Sequence, residues 1–336
     1  MTPRSPRRTN TDGPLPVRFV PGQSPQIPGA QQLVLHPSRP PATGRAVLLT
    51  RRDLALLAAL DAYRYLDTQQ LARLFFAGEH RTWTRLRELA ALGLTSCWLA
   101  RVHPGRAQRP AVHLLTPAGA RELAREFGRD PRPAVTRARH ARTRTQQLVH
   151  DLGANGFFSG LALASRTRAD QGLYHWLGQA ACRDVGRRTG TPPADGWGRY
   201  LLPDREIHFF LEWDRGTEHP HRLEATASRY LRYFDGRVEA ERRHVLFVVP
   251  TAEREGEVQR VLGSLVRRVD QCRFATATTD HVAAASTLGP IWEVVGSQDR
   301  VSFDLMPGVQ RSTRRADDSI GKPDWWERRP AGGEGP

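Results

Sequence analysis

An apolar segment that carries three acidic side chains constrains the fold of this chain more than any other feature. From Leu201 it reads LLPDREIHFFLEWDRG, and Asp204, Glu212 and Asp214 lie in or beside its apolar run. Burying an unpaired carboxylate costs several kcal/mol. Alternate side chains of a strand share one face, so Glu212 and Asp214 point the same way. The pattern predicts a β-hairpin with an acidic site, or a strand end that reaches solvent with Arg215 as ion-pair partner.

The charge of the chain favours a polyanionic partner. Lysine and arginine number 50 against 35 acids, which gives a formal net charge of +15 and a pI near 11.0. Lys322 is the only lysine, so the other basic residues of that count are arginine. Arginine suits bidentate contacts with phosphate and guanine, although a GC-rich genome produces the same bias. Clustered charge is therefore more informative than the total, and we expect double-stranded DNA as the partner.

Composition also excludes several classes of protein. The sequence contains no run of about 18 apolar residues, which a membrane-spanning helix requires. Cys97, Cys182 and Cys272 stand far apart and form no CxxC pair. This usage fits a reducing compartment and disfavours a zinc site or a disulfide framework. We therefore expect a soluble cytoplasmic protein with no membrane contact and no small-molecule cofactor.

The composition divides the chain into two domains with unstructured ends. Residues 1–45 hold ten prolines and six arginines against one acid, with little apolar sequence. Such a segment buries too little surface to offset its ordering entropy, so we predict a disordered arm. The expected order continues with a DNA-binding domain at 46–130, a basic linker at 131–144, an α/β domain at 145–305 and a disordered tail at 306–336.

Apolar spacing in the first domain predicts three short helices. Leu54, Leu57 and Leu60 repeat at helical spacing, and a second helix begins near Asp67. A third helix from about His80 has an apolar face and a polar, partly basic face. Its predicted buried residues are Trp83, Leu86, Leu89 and Ala90. Its predicted outward residues are Arg81, Thr84, Arg85 and Glu88.

A β-hairpin and a closing helix are predicted to follow. Two short apolar runs flank a Pro104-Gly105 turn. Arginines at the tip of this hairpin are Arg101, Arg106 and Arg109. The sequence LTPAGARELA then begins a helix, because Thr is a good cap and Pro is favoured in the first turn.

Three helices, a two-stranded wing and a closing helix resemble a winged helix-turn-helix domain. In such domains the third helix enters the major groove, which implies DNA contacts by Arg81, Thr84 and Arg85. The basic wing tip strengthens that reading. A solvated helix face, or a winged helix that pairs with another protein, is the alternative.

The segment RPAVTRARHARTR, residues 132–144, holds five arginines, one histidine and no acid. As a helix it would spread the charge of Arg137, Arg139 and Arg142 round a rod, with DNA phosphates as the counter-charge. A flexible charged linker is the competing interpretation. Under either interpretation the segment separates the two domains, and we count these three arginines among the expected DNA contacts.

The second domain follows from the patterns after residue 145. A helix, the acidic hairpin, another helix and a buried strand at His244–Val249 come in that order, and further helices and strands complete the unit. This order predicts an α/β arrangement with a mixed sheet. The expected fold class of the whole chain is therefore a two-domain α+β or α/β protein.

With these segments in view, the chain resembles the replication-relaxation family of actinobacterial plasmids and integrative elements. The resemblance covers most of residues 46–296 and rests on LTPAGARELA, on HDLGANGFF, and on PD followed by FFLEWDRGTE and RYLRYF. It implies a winged helix joined to a domain similar to PD-(D/E)xK nucleases, with replication or conjugation proteins as partners. Under the nuclease pattern, Asp204 and Glu212 are the implied Mg²⁺ ligands, and Asp214 is a third carboxylate of the catalytic site.

Departures from the nuclease pattern leave two hypotheses. Asp214 stands where the pattern has Lys, Thr226 stands at the helix position where relatives carry Lys, and Gln179 replaces an expected Glu. The first hypothesis is a DNA-binding replication or relaxation factor whose second domain is a degenerate nuclease fold. The second is a Mg²⁺-dependent nickase or endonuclease that uses Asp204 and Glu212.

Overall fold

The described residues belong to two separate units of the chain. The computed structural model describes residues 13–15, 17–19, 23, 25–26, 33–35, 47–100, 110–143, 147–166, 168, 170–217, 219–235, 243–266, 272–297, 299–306 and 309–310. The first unit comprises Met1–Arg18 and Pro25–Val149, and the second comprises Phe19–Ser24 and His150–Pro336. This organisation agrees with the expected two-domain α+β fold. Within the described residues, no helix is both long and apolar enough to cross a membrane.

The first unit is mainly helical, with short antiparallel strands. Strand β5 pairs with β3 and β4, and β1 pairs with β2. In chain order the elements are β1 (Leu33–Leu35), β2 (Val47–Leu49), α1 (Arg51–Tyr63), β3 (Leu66–Asp67), α2 (Thr68–Phe75), α3 (Glu79–Ala91), β4 (Thr95–Leu99), β5 (Ala111–Leu115), α4 (Pro117–Glu126) and α5 (Pro131–Thr143).

Side-chain caps determine where several of these helices begin. Thr50 and Asp53 form a reciprocal capping box at α1, and Asp67 and Gln70 form one at α2. Thr116 accepts a hydrogen bond from the Gly119 amide at the start of α4. Each cap satisfies amide groups that have no partner inside the helix. The predicted starts near Asp67 and at LTPAGARELA are confirmed.

The basic segment after α4 is a helix of the first unit. Ala134, Ala138 and Ala141 are buried on one side of α5. The Tyr65 hydroxyl donates to the Ala141 carbonyl, and the Arg137 guanidinium binds Asp61 at 2.7 Å. The helical interpretation therefore applies to Pro131–Thr143. The prediction that charge surrounds this helix on every side is wrong, because the side with the three buried alanines packs against the rest of the first unit.

The second unit is built on a mixed sheet. The strand order is β12-β11-β10-β9-β8-β7-β6, with β13 paired to β8. Strands β8, β9 and β10 are parallel, and the other pairings are antiparallel. The elements are α6 (Leu148–Ser165), β6 (Gly172–Gly178), α7 (Gln179–Thr189), β7 (Gly196–Leu201), β8 (Arg205–Trp213), α8 (Pro220–Phe234), β9 (Arg243–Val249), α9 (Ala252–Val266), β10 (Cys272–Thr278), α10 (Thr279–Ala285), β11 (Pro290–Val294), β12 (Arg300–Ser302), a 3₁₀ turn (Phe303–Leu305) and β13 (Val309–Gln310).

Part of the arm predicted to be disordered is packed. Leu15 and Val17 are buried, and Phe19 is 4% exposed and lies 6.0 Å from the Trp176 ring, centroid to centroid. Strand β1 also falls within residues 1–45. The prediction failed here because isolated apolar residues between prolines give no periodic signal, yet each fills a gap in a core. The predicted tail, 306–336, also begins with placed residues, because Met306 is buried and β13 pairs with β8. Residues 311–336 lie outside the described residues.

Candidate functional site

The predicted metal pair does not come together. Asp204 lies in the turn before β8, with 70% of its side chain exposed and an ion pair to Arg205 at 3.0 Å. Glu212 lies near the other end of β8, eight residues further along. At about 3.3 Å per residue, the separation is roughly 26 Å. The prediction that Asp204 and Glu212 bind one Mg²⁺ ion is therefore wrong.

Asp214 has a structural partner. Its Oδ2 accepts a hydrogen bond from Arg254 Nε at 2.6 Å, and its Oδ1 accepts one from the Gly216 amide at 2.7 Å. Both side chains of the ion pair are less than a tenth exposed. The Asp214 carboxylate therefore links the end of β8 to α9, and its expected role in a catalytic site stays a prediction.

The acid that lies beside Glu212 is Asp195. Gly196 pairs with Leu211 in the β7–β8 register, and the Asp195 amide continues that ladder by donating to the Leu211 carbonyl at 3.1 Å. Asp195 is therefore placed across from Glu212. Burial raises the pKa of Glu212 well above its usual value, and the negative charge of Asp195 raises it further.

Hydrogen-bond donors surround both carboxylates. Asp195 Oδ2 accepts from His150 Nε2 and from the Trp213 amide, each at 2.9 Å. Asp195 Oδ1 accepts from Gln179 Nε2 at 2.9 Å, and Tyr230 donates its hydroxyl proton to Glu212. We call Asp195, Glu212 and these side-chain donors, His150, Gln179 and Tyr230, the acid cluster.

His150 supplies a positive charge to the acid cluster. Burial lowers its pKa, but interactions with Asp151 and Asp195 outweigh that effect and raise the pKa to about 10. The Nδ1 atom lies 3.8 Å from Asp151 Oδ1. At neutral pH the ring is therefore an imidazolium that balances the charge of Asp195.

A glycine in α6 brings His150 to this place. A Cβ atom at Gly153 would lie 2.3 Å from the Trp213 ring, so only glycine lets α6 approach the end of β8 this closely. The HDLGANGFF segment is a continuous helix despite its glycines. Because α6 approaches β8 so closely, His150 in the first turn of α6 lies within hydrogen-bond distance of Asp195.

The donor set of the acid cluster fits Mg²⁺ poorly. Mg²⁺ requires several oxygen ligands in near-octahedral geometry. Within the described residues, no group of three or more His, Cys, Asp or Glu side chains is arranged to hold a metal ion. Asp195 is already stabilised by three hydrogen-bond donors, one of them cationic. The cluster is therefore neutralised by the side chains of the chain itself.

The first unit places its candidate DNA contacts on α3. Arg81 and Thr84 are exposed, as expected, and so is Arg87, which the sequence analysis missed. Trp83 is 41% exposed, whereas Thr82 is fully buried and donates its hydroxyl proton to the Gly78 carbonyl at 2.8 Å. The predicted buried positions of Trp83 and Ala90 are wrong, and those of Leu86 and Leu89 are confirmed.

Arg85 points toward α1. Its Nε and Nη2 donate to the two carboxylate oxygens of Asp53 at 2.8 and 2.6 Å, and Nη1 donates to Glu88. Asp53 is buried, with 2% of its side chain exposed. The expected outward orientation of Arg85 is therefore wrong, because its guanidinium neutralises a buried acid.

The other expected DNA contacts differ in their accessibility. Arg139 and Arg142 are exposed on α5, and Arg137 is half-buried in its ion pair with Asp61. Three expected wing residues lie outside the described residues, namely Arg101, Arg106 and Arg109.

Two signals could have identified the missed residues. A hairpin that turns at Leu202–Asp204 places residues on its two strands opposite each other, and this register assigns Asp195 to Glu212. Arg87 follows Thr84 by three residues, so both lie on one helical face. The Pro203-Asp204 pair matches the Pro-Asp of the nuclease pattern in sequence, but it lies in the turn, which is the part of the hairpin farthest from Glu212.

Comparison with known proteins identifies a family for this chain. The sequence model of the replication-relaxation family matches residues 57–249, which is more than half of the chain. The match includes α2, α3 and the acid cluster. No curated protein matches the chain.

Proposed function

The chain belongs to the replication-relaxation family, and from that premise we propose that it is a DNA-binding replication protein. Membership supports a replication-related function. The first unit would act as a winged helix: α1, α2 and α3 precede the β4–β5 hairpin, and α4 follows it. Three residues that end in Gly78 join α2 to α3, which is the turn length typical of a helix-turn-helix.

The observation that carries this proposal is the exposed face of α3. Arg81, Thr84 and Arg87 lie on it, and neither arginine has an acidic partner among the described residues. The opposite side of α3 is anchored by buried Leu86 and Leu89. A packed helix with free arginines on its outer side suits the major groove, where phosphates and guanine edges bind guanidinium groups.

The second unit would contribute binding in place of cleavage. Its acid cluster has an internal cation in His150, and the described residues contain no lysine. Arginine remains protonated and cannot act as a general base. The PD-(D/E)xK likeness would then concern the fold of this unit, and the alternative of a Mg²⁺-dependent nickase can be tested directly.

A salt titration tests the DNA-binding part. Fluorescence anisotropy with a labelled duplex would compare the wild type, Arg81→Ala/Arg87→Ala, and the control Arg121→Ala, which removes an exposed arginine from α4. We expect the double variant to reduce the slope of log K against log salt by about 2, because each phosphate contact contributes about 0.9. An unchanged slope and affinity in the double variant would overturn the assignment of α3.

A plasmid assay tests the cleavage alternative. Supercoiled plasmid is incubated with the wild type, Asp195→Ala or Glu212→Ala in the presence of Mg²⁺ or Mn²⁺. We expect intact plasmid in every reaction. Relaxed or linear product from the wild type, absent with both variants, would establish the enzyme and refute the binding-only role of the second unit.

A further inference from the structure

Helices α7 and α8 of the second unit enclose a groove of about 740 Å³. The groove lies outside the acid cluster, and nothing in the proposed role of α3 uses it. Its charged and aromatic lining consists of Arg183, Arg187, Arg229, Arg232, Tyr233 and Asp235.

The charge of this lining is strongly unbalanced. Four arginines from two helices line the groove together with one aspartate. Neither Arg183 nor Arg232 has an acidic partner among the described residues, and only Arg187 forms an ion pair, with Asp184 at 2.9 Å. Like charges that converge in a concave site focus a positive potential, which a bound polyanion would relieve.

Fixed elements shape the groove. Gly190, with φ of 71°, ends α7 in the left-handed region and turns the chain into one wall. Thr191 then donates its hydroxyl proton to the Tyr233 hydroxyl at 3.3 Å and lies 2.7 Å from the Thr189 hydroxyl. These bonds join the wall to α8, and Tyr233 is only 8% exposed. The concavity is therefore part of the packed unit.

The groove adjoins the acid cluster. Pro193 lines the groove and stands two residues before Asp195. Arg229 lines it from α8 and precedes Tyr230, which donates to Glu212. The positive charge of Arg229 also lowers the pKa of Glu212, against the larger effects of burial and Asp195. A backbone held by these arginines would lie next to the acid cluster.

We propose that this arginine groove binds the phosphates of a single DNA strand. The proposal rests on the DNA-binding function above and adds a second nucleic-acid site to it. One concave track with a wall at Pro192-Pro193 suits a single sugar–phosphate backbone, and single-strand binding proteins use basic grooves of this kind.

The test uses the full chain and a labelled oligothymidylate of about 12 nucleotides, within the site size of such grooves. Arg183→Ala/Arg232→Ala removes two lining arginines, and Arg188→Ala/Arg222→Ala removes two exposed arginines of the same helices outside the groove. For the first variant we expect the slope of log K against log salt to decrease by about 1.4, since each phosphate contact of a single strand contributes about 0.7 to that slope. The control variant should keep the wild-type slope. Circular dichroism melting should be unchanged in both variants.

Equal binding by the wild type and both variants, or no binding by the wild type, would overturn the groove proposal. Competition by ATP or inorganic phosphate as strong as that by unlabelled oligothymidylate would also overturn it, because the groove would then take small phosphates. Arg81→Ala/Arg87→Ala should leave oligothymidylate binding intact. If the wild type bound oligothymidylate but not duplex DNA, the function assigned to α3 would be refuted and the groove proposal would stand. The two failures are therefore distinguishable.

Discussion

Replacing Arg85 by alanine should destabilise the first unit without changing the DNA contacts proposed for α3. The substitution leaves the Asp53 carboxylate buried, and its remaining hydrogen-bond donor among the described residues is Thr50, whose amide and hydroxyl each donate to it at 2.7 Å. Breaking a buried ion pair on one side costs about 3–5 kcal/mol. The Arg85 side chain is 23% exposed, so water screens part of the interaction. We therefore expect a loss of about 2–4 kcal/mol.

Urea unfolding followed by circular dichroism would measure this loss, and the midpoint of thermal unfolding should fall by roughly 10 °C. Arg87→Ala is the matched control, because Arg87 lies two residues further on the same helix and is exposed. It should change stability by less than about 0.5 kcal/mol and lower the salt slope of duplex binding by about 0.9. In an Asp53→Asn background, Arg85→Ala should cost only about 1 kcal/mol, which gives a coupling energy near 2 kcal/mol.

The opposite pattern would refute this reasoning. If Arg85→Ala unfolds like the wild type and lowers the salt slope by about 0.9, Arg85 is a DNA contact and its pairing with Asp53 has no energetic weight.

Three further predictions concern packing and pH. Gly153→Ala places a Cβ atom 2.3 Å from the Trp213 ring, whereas the Cβ atom of Gly160→Ala lies 3.6 Å from its nearest neighbour, Thr287. In urea unfolding, the free energy of unfolding should fall by about 1–3 kcal/mol for Gly153→Ala and rise by up to about 1 kcal/mol for Gly160→Ala. Similar effects of the two substitutions would contradict the close approach of α6 to β8. Burial lowers the pKa of His113 from 6.5 to about 4, so its contribution to stability is present above pH 6.5 and is lost as the pH falls towards 4. The protection factors of amides in β4 and β5, which correct for the intrinsic slowing of hydrogen exchange at low pH, should fall over that range. Unchanged protection factors would reject the prediction. The pKa of His150 is raised to about 10, so its contribution to stability is present below pH 6.5 and is lost as the pH rises through 10. His150→Gln should therefore flatten the plot of unfolding free energy against pH in this range. A plot that keeps its slope in the variant would show that other groups cause the pH dependence.

The sequence predicted those features that depend on local spacing. Helices α1, α2 and α3, the β4–β5 hairpin and the start of α4 follow from apolar periodicity and capping residues, which act within one or two turns of the chain. Strand β9 was recognisable as a short apolar run. On α3, however, Trp83 is exposed and Thr82 is buried. A helical threonine can bury its hydroxyl by bonding the carbonyl four residues earlier, so size and hydrophobicity alone misassigned this face.

The acid cluster depended on information that spacing does not contain. The sequence indicated that Glu212 needs a partner, because an unpaired carboxylate is costly to bury in an apolar strand, and the Tyr230 hydroxyl is such a partner. The position of its neighbour Asp195 is set by the hairpin register, and His150 reaches Asp195 through the approach of α6 to Trp213. The ion pairs of Arg85 and Asp214 join elements far apart in the sequence. The sequence alone therefore did not distinguish these buried ion pairs from exposed charged residues.

Cross-linking from α3 tests the central claim most directly. A photoactivatable amino acid replaces Thr84 on the exposed face of α3, or Arg121 on α4 as the control, and the protein is irradiated with labelled duplex DNA. We predict a covalent adduct from position 84 that disappears at high salt, and little or none from position 121. Equal adducts from both positions, or an adduct from position 121 alone, would contradict the assignment of α3 as the helix that binds DNA.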